Sequence, residues 1–168
     1  DVLGIDLYSK VLQDLVDVYY KKPLIVLPVI SSSIKAFIPS SFLPSAKMRV
    51  WFYKELSQTS LDSFGSFVEK TTNMFGRFPL FLNNLVALRR VFLLSTKLLF
   101  SHVTFDSKSI VIFPLFSFWE GRHSFLVKAL GDLGVSFVGG GEGFRVPCSD
   151  DKFFVLFDKI YNRLQHGL

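Results

Sequence analysis

A run of glycines in the stretch VSFVGGGEGFRV is the first feature whose spacing could do chemistry, with Gly139, Gly140, Gly141 and Gly143 close together. Glycine-rich loops that hold phosphate lie between a strand and the N-terminus of a helix, where backbone N–H groups face the anion. Here the run leaves one predicted strand, VSFV, and enters another, FRV. No Lys-Ser/Thr pair follows it, and the spacing departs from G-x-G-x-x-G. We therefore interpret the run as the turn of a β-hairpin, in which glycine supplies positive φ angles.

Three reactive side chains follow the glycines, namely Cys148, Asp150 and Asp151. A thiol where a strand meets a helix N-terminus can be activated, but two neighbouring carboxylates would oppose a thiolate. We interpret Cys148 as a small buried residue. The aspartates could form an acid–base or metal pair, and they also fit the start of a helix, where they balance the helix dipole. With one cysteine in the chain, no intrachain disulfide or cysteine–histidine zinc site is predicted.

The sequence contains none of the common hydrolase or metalloenzyme motifs, neither G-x-S-x-G nor H-E-x-x-H nor H-x-E with C-x-x-C. We therefore predict a protein that is not an enzyme and that uses no cofactor, metal or small-molecule substrate.

The composition is unusually apolar for 168 residues, with 49% hydrophobic residues, 20 phenylalanines and a mean hydropathy of +0.38. Such an excess predicts a surface that faces a partner protein or lipid. The longest apolar stretch, residues 78–100, carries Arg89 and Arg90 near its centre. An arginine pair costs several kcal/mol in a bilayer. We predict a helix packed on protein, with a membrane-associated helix as the alternative.

Positive charge is concentrated in residues 21–54, which contain six Lys or Arg residues and no acid, within a chain of net charge +5. Such a zone suits a polyanion, either nucleic acid or an anionic lipid surface, and the alternative is a solvated basic face. Within it, the aromatic run from Trp51 to Tyr53 could stack on bases or belong to a core strand. The Arg89–Arg90 pair could contact phosphates, or it could be a salt-bridged or protein-contacting pair.

Periodicity and turn residues predict the elements that position these groups. They are a helix over 4–21, a strand over 23–30, an extended Ser/Pro-rich loop over 31–47, a strand over 48–56, helices over 60–75 and 79–101, a strand over 109–118, a helix over 122–134, the glycine hairpin, and a helix over 149–167. This order predicts an α+β, two-layer sandwich. It has a C-terminal strand–helix–strand–strand–helix unit and N-terminal helical and extended extensions. The segments 1–58 and 59–168 are predicted to form one domain with an extension.

Residues 110–165 resemble the small-subunit ribosomal protein ten family. The matching positions are Ser117–Phe118, Pro147, Asp150, Phe157 and Arg163–Leu164, and GGGEG replaces the long Pro-containing hairpin loop of that family. The fragment EGRHSFLVKALGDLGVSF is also similar to small-subunit ribosomal protein family eleven. The resemblance implies an RNA-contacting, non-catalytic component of a ribosome.

Together these observations predict a structural subunit of a large ribonucleoprotein, a divergent mitochondrial ribosomal protein of the matrix that acts in translation. Its predicted partners are rRNA and neighbouring proteins. The predicted RNA-binding residues are Lys21, Lys22, Lys35, Lys47, Arg49, Lys54, Arg89, Arg90, Arg122, Arg145 and Lys152. The alternative hypothesis is an accessory subunit of a mitochondrial inner-membrane complex (a respiratory complex or ATP synthase) that packs on membrane subunits.

Overall fold

The computed structural model describes residues 27–115 and 119–167. The helices are α1 (Ala46–Ser57), α2 (Leu61–Phe75), α3 (Leu80–Lys97), α4 (His123–Leu130) and α5 (Phe153–Leu164), and the strands are β1 (Val29–Ser32), β2 (Phe100–Phe105), β3 (Ser109–Pro114), β4 (Ser136–Val138) and β5 (Gly143–Pro147). The predicted α+β class is confirmed. The predicted helix over 4–21, with Lys21 and Lys22, lies outside the described residues.

The five strands form one sheet in the order β1-β2-β3-β5-β4, with β1 parallel to β2 and the other neighbours antiparallel. Val103 lies opposite Ile112, and Ile112 lies opposite Phe144. All three side chains are fully buried and pack with residues of α3, α4 and α5. Because side chains alternate between the faces of a sheet, the opposite face carries exposed residues such as Arg145. The result is one sheet with helices on one face.

The buried apolar residues form two clusters, and α3 contributes to both. Leu82 and Val86, in its first half, belong to a cluster with residues of α1 and the neighbouring loops. Val91 and Leu94, in its second half, belong to the cluster that covers the sheet. We call the first the helical core and the second the sheet core.

Much of the apolar excess packs inside these two cores. In the helical core, the Phe52 ring lies 5.2 Å from that of Phe67 and 5.8 Å from that of Phe78. In the sheet core, the Phe105 ring lies 5.4 Å from that of Phe153. Phenylalanine side chains bury a large area and gain further from edge-to-face contacts. Among the described helices, none is long and apolar enough to cross a membrane.

The strand predicted over 48–56 is wrong, because these residues belong to helix α1. Ser45 caps the helix, with its side-chain oxygen accepting from the Met48 amide at 3.3 Å. Phe52 and Leu56 are four residues apart and are the buried residues of this helix, the spacing of one helix face. The β-branched and aromatic content of this segment favoured a strand. The segment forms a helix because residues four apart, Phe52 and Leu56, then pack together in the helical core.

The helix predicted over 79–101 ends earlier, at Lys97, and strand β2 begins at Phe100. Leu99 makes the turn between them, with φ at 57°. The apolar run is continuous across this junction, so the pattern alone did not reveal β2. The strand predicted over 109–118 contains β3, in which Pro114 lies opposite Phe100 beside a shift in register.

The glycine run is the turn of a hairpin, as predicted. Strands β4 and β5 are antiparallel, with Phe137 opposite Phe144. Gly139, Gly140 and Gly141 all have positive φ angles between 59° and 96°. A side chain at these positions would be strained, which explains the local sequence.

Candidate interaction surface

Arg89 uses its guanidinium to hold α3 against the turn between α1 and α2. Its Nη2 donates to the carbonyl oxygens of Ser57 and Thr59, both at 2.8 Å, and its Nε donates to the Thr59 hydroxyl at 3.3 Å. Burial lowers the pKa of Arg89. The sequence predicted that Arg89 contacts phosphate. In the structure its N–H groups already donate to oxygen atoms of the protein, so Arg89 has a structural role.

Two ion pairs connect α5 to the rest of the structure. Arg90 on α3 pairs with Asp158 on α5. Arg163 on α5 pairs with Asp132, in the turn after α4, and donates to the Ala129 carbonyl at 3.1 Å. The hydrogen bond from Arg163 lowers the pKa of the Asp132 carboxyl, and the same bond raises the pKa of Arg163. Arg90 therefore joins two helices.

The described part of the basic zone 21–54 is dispersed. Arg49 folds back on the loop before α1, where its Nη1 donates to the carbonyls of Leu43 and Pro44 at 2.7 and 2.8 Å. The side chains of Lys35, Lys47 and Lys54 are exposed, the last two at opposite ends of α1. The structure therefore does not gather this zone into one pocket.

Four other cations surround Pro147, at the end of β5. Two depressions share this proline, one of 280 Å³ on the α5 side and one of 450 Å³ on the side of the β2–β3 turn. We call them together the Pro147 groove. Its cations are Lys108, Arg145, Lys152 and Lys159, and its apolar residues are Pro147, Cys148, Val155 and Leu156. Sequence reasoning identified Arg145 and Lys152 and missed Lys108 and Lys159.

The β2–β3 turn fixes one side of the groove. One Asp106 carboxylate oxygen accepts from the backbone amides of Lys108 and Ser109 at 2.8 and 2.7 Å, and the other accepts from the Ser109 hydroxyl at 2.9 Å. These bonds, led by the one from the Lys108 amide, lower the pKa of Asp106. The Lys108 carbonyl accepts from the Cys148 amide at 2.7 Å. The backbone of Lys108 is therefore held from two directions.

Helix α5 forms the other side of the groove. Lys152 immediately precedes the helix and Lys159 lies seven residues later, a separation of about 10 Å along a helix axis. Val155 lies between them with 68% of its surface exposed. The two lysines are exposed as well. This side therefore presents an apolar strip between two positive charges.

The remaining candidates have structural contacts. The Cys148 thiol is half-buried and donates to the Ser149 carbonyl at 3.2 Å, and Asp151 accepts from the Ser149 hydroxyl at 2.9 Å. The Arg122 guanidinium lies 5.8 Å from the Trp119 ring. Within the described residues, no group of His, Cys, Asp and Glu is arranged to hold a metal ion.

The chain is similar to known proteins both in part of its sequence and in its fold. The model of the TRCF domain family matches residues 32–115. In structure, the chain is similar to the C-terminal domain of transcription-repair coupling factor, known from a crystal structure, with a TM-score of 0.72 and 16% identity, covering 86% of this chain and 95% of that chain. No curated protein matches the chain in sequence.

These findings overturn the predicted ribosomal resemblance to families ten and eleven. The family model matches a region that lies mostly before residues 110–165. Of the positions that carried the resemblance, Phe157 and Leu164 are fully buried core residues, and Arg163 pairs with Asp132. Such positions report how a helix packs on a sheet in many α+β proteins, which is why they misled.

The function inferred from that resemblance is wrong too. A mitochondrial ribosomal protein acting in translation, with rRNA and ribosomal neighbours as partners, does not agree with the TRCF domain match. Nor does the alternative of an accessory subunit of an inner-membrane complex. The prediction that eleven residues bind rRNA therefore has no remaining basis.

Proposed function

This chain belongs to the TRCF domain family, and on that basis we propose that it is a non-catalytic binding module that acts in the coupling of DNA repair to transcription. The observation that carries the proposal is the family match over residues 32–115, which spans α1 to β3 and so includes parts of both cores. The similar solved domain comes from a factor whose name joins transcription and repair.

The titratable groups support binding rather than catalysis. Catalytic acids and bases commonly have shifted pKa values and lie together in a cleft. Four described groups have shifted pKa values, namely Arg89, Asp106, Asp132 and Arg163. Each makes hydrogen bonds that hold one element of the fold to another or close a turn. These pKa shifts therefore have a structural explanation that requires no catalytic role.

The exposed surface supports the same proposal. The Pro147 groove combines exposed cations with an exposed aliphatic side chain, a combination that suits contact with another macromolecule. Its position at the end of a sheet and beside a helix gives it a rigid base. In this proposal the module contributes by docking to a protein of the transcription or repair machinery.

The test is a strand-specific repair assay in cells that lack the gene encoding this chain. We expect lesions in the transcribed strand to lose their faster removal, while removal from the other strand is unchanged, because only the coupling step is affected. Re-expression of the wild-type gene should restore the difference. An undiminished strand difference in the deleted cells would overturn the proposal. The mitochondrial matrix is still only the predicted location of the protein. Cell fractionation should therefore come first, because the location determines whether repair is measured on mitochondrial DNA or on other DNA.

A further inference from the structure

We propose that the Pro147 groove binds an acidic protein segment that also carries aliphatic side chains. The proposal rests on the proposed function only in that such a segment would belong to a transcription or repair protein.

The charges are available to a ligand. Lys108, Arg145, Lys152 and Lys159 are all exposed. Within residues 27–115, 119–149 and 151–166, the structure shows no ion pair between these cations and a carboxylate. Two acids beside the groove are hydrogen-bonded within the protein, since Asp106, which lines the 450 Å³ depression, accepts from the β2–β3 turn and Asp151 accepts from Ser149. Such bonds orient a carboxylate but do not neutralise it. Arg145 is close enough to Asp106, and Lys159 to Asp132, to help lower the pKa of each carboxyl, and neither cation forms an ion pair with that acid.

The floor between the charges is apolar. Val155 and Leu156 lie beside Pro147 and Cys148 in the depression of 280 Å³. A ligand that presented carboxylates alone would leave Val155 in water, whereas one that also carried a leucine or valine would cover it. Burial of apolar area contributes about 25 cal/mol per Å², while exposed ion pairs contribute little and mainly set orientation and rate. The groove therefore fits a segment with both kinds of side chain.

A nucleic acid fits this lining less well. Proteins that bind single strands stack the bases on aromatic side chains, and the residues that line the two depressions include no aromatic ring. Binding to duplex backbone uses phosphate contacts and leaves no role for an aliphatic floor. A second copy of the chain is also disfavoured, because two grooves of the same charge would repel each other.

The test measures peptide binding to the full 168-residue chain. The probe is a fluorescent synthetic peptide that repeats two glutamates and one leucine, and its binding is followed by fluorescence anisotropy. The same peptide with glutamine in place of glutamate tests the charge, and with serine in place of leucine it tests the floor. We expect each change to weaken binding by about tenfold. Equal binding of all three peptides would overturn the proposal.

A matched pair of variants locates the binding site. Lys152→Glu with Lys159→Glu reverses the two groove lysines, which flank the exposed Val155. Lys47→Glu with Lys54→Glu reverses two exposed lysines on α1 that flank the exposed Val50 at the same spacing but lie outside the groove, so the pair tests the groove and not the lysine–valine–lysine pattern alone. Both double variants change the net charge equally. We expect about tenfold weaker binding in the groove variant and a change within about twofold in the α1 variant. Equal loss in both would mean that overall charge attracts the peptide, which overturns the proposal. Circular dichroism melting of both variants confirms that they are folded.

Cys148 gives an independent readout, because it is the single cysteine of the chain and lines the groove. Saturating peptide should slow its alkylation by iodoacetamide, and the serine-substituted peptide at the same concentration should not. A short DNA duplex should leave alkylation of Cys148 unchanged. Protection by the duplex together with loss of duplex binding in the groove variant would assign the groove to nucleic acid and overturn the proposal.

The two proposals fail in different ways. If the strand difference in repair depends on the gene but the glutamate peptide does not bind, the groove assignment fails and the proposed function stands. If the peptide binds and the groove variant abolishes binding, yet deletion of the gene leaves the strand difference intact, the proposed function fails and the groove stands.

Discussion

Cationic residues lie beside the helical core and around the Pro147 groove, but the two sets contact different groups. Beside the helical core, Arg49 and Arg89 donate to backbone carbonyls and hold loops in place. In the groove, the lysines are exposed beside an exposed Val155, and none forms an ion pair with a carboxylate whose side chain the structure describes. The comparison shows that the density of positive charge along a sequence does not locate a binding surface. What a charged group already contacts in the fold decides whether it can receive a ligand.

The largest effect that tests this comparison is expected for Phe52→Ala in the helical core. Phe52 is fully buried and its ring contacts three other phenylalanines. Removal of a buried phenylalanine ring leaves a cavity, so the free energy of unfolding should fall by about 3–5 kcal/mol. Urea unfolding followed by circular dichroism measures the loss. The groove substitution Val155→Ala serves as the control and should change stability by less than about 0.5 kcal/mol. Equal losses would mean that the two regions do not differ in this way.

A smaller loss is expected for Arg89→Ala. The substitution leaves the Ser57 and Thr59 carbonyls without their donor, which should lower the free energy of unfolding by about 1–3 kcal/mol. Arg89→Lys should not restore it fully, because an ammonium lacks the fork geometry of a guanidinium. Lys54→Ala, in the same region but exposed, is the matched control. A variant as stable as the wild type would show that Arg89 is as dispensable as the groove cations.

Helix α3 joins the two regions, and Ser95→Ala there should raise stability. The Ser95 hydroxyl is fully buried and has no hydrogen-bond partner among the described residues. Alanine removes this unsatisfied group and has the higher helix propensity, so we expect a gain of about 0.5–1 kcal/mol. Thr71→Ala on α2 is the contrasting variant, since its buried hydroxyl donates to the Phe67 carbonyl at 2.7 Å and its loss should destabilise. Thermal unfolding compares the two, and a destabilised Ser95→Ala would contradict the prediction.

The smallest effect concerns the turn that supports the groove, through the pH dependence of Asp106. Hydrogen bonds in the turn lower its pKa in the folded state, below the value of about 3.9 in an unfolded chain. Its contribution is therefore present above pH 4 or so and is lost as the pH falls through the folded-state pKa. Asp106→Asn removes this dependence, so the stability difference from the wild type should shrink in acid. Urea midpoints measured from neutral pH downwards test this, and a constant difference would contradict it.

The sequence predicted much of the fold through local signals. Gly76 ends α2 with φ at 91°, and Ser60 caps its start. The stripe of Phe153, Phe157 and Ile160 on α5 is buried, as its spacing indicates. Helix α1 was missed because aromatic and β-branched residues favour strands in isolation, and β2 was missed because it continues the apolar run of α3.

The groove could not be predicted from local signals. Lys108 and Lys159 are far apart in the sequence, and the fold brings them near Pro147 because β3 pairs with β5. The one available signal was the seven-residue spacing of Lys152 and Lys159, which places two cations on one face of a helix. The sequence instead predicted a binding surface in the basic zone 21–54, because its positive charges lie close together in the chain with no acid between them.

Helix α3 also constrains how this domain can change in length. Its 18 residues carry Val86 into the helical core and Val91 into the sheet core. One residue inserted between them would rotate one set of side chains by about 100° relative to the other, so both cores could not be filled at once. We therefore expect α3 to tolerate substitutions more readily than insertions or deletions between Val86 and Val91. This segment fixes the spacing between the two cores.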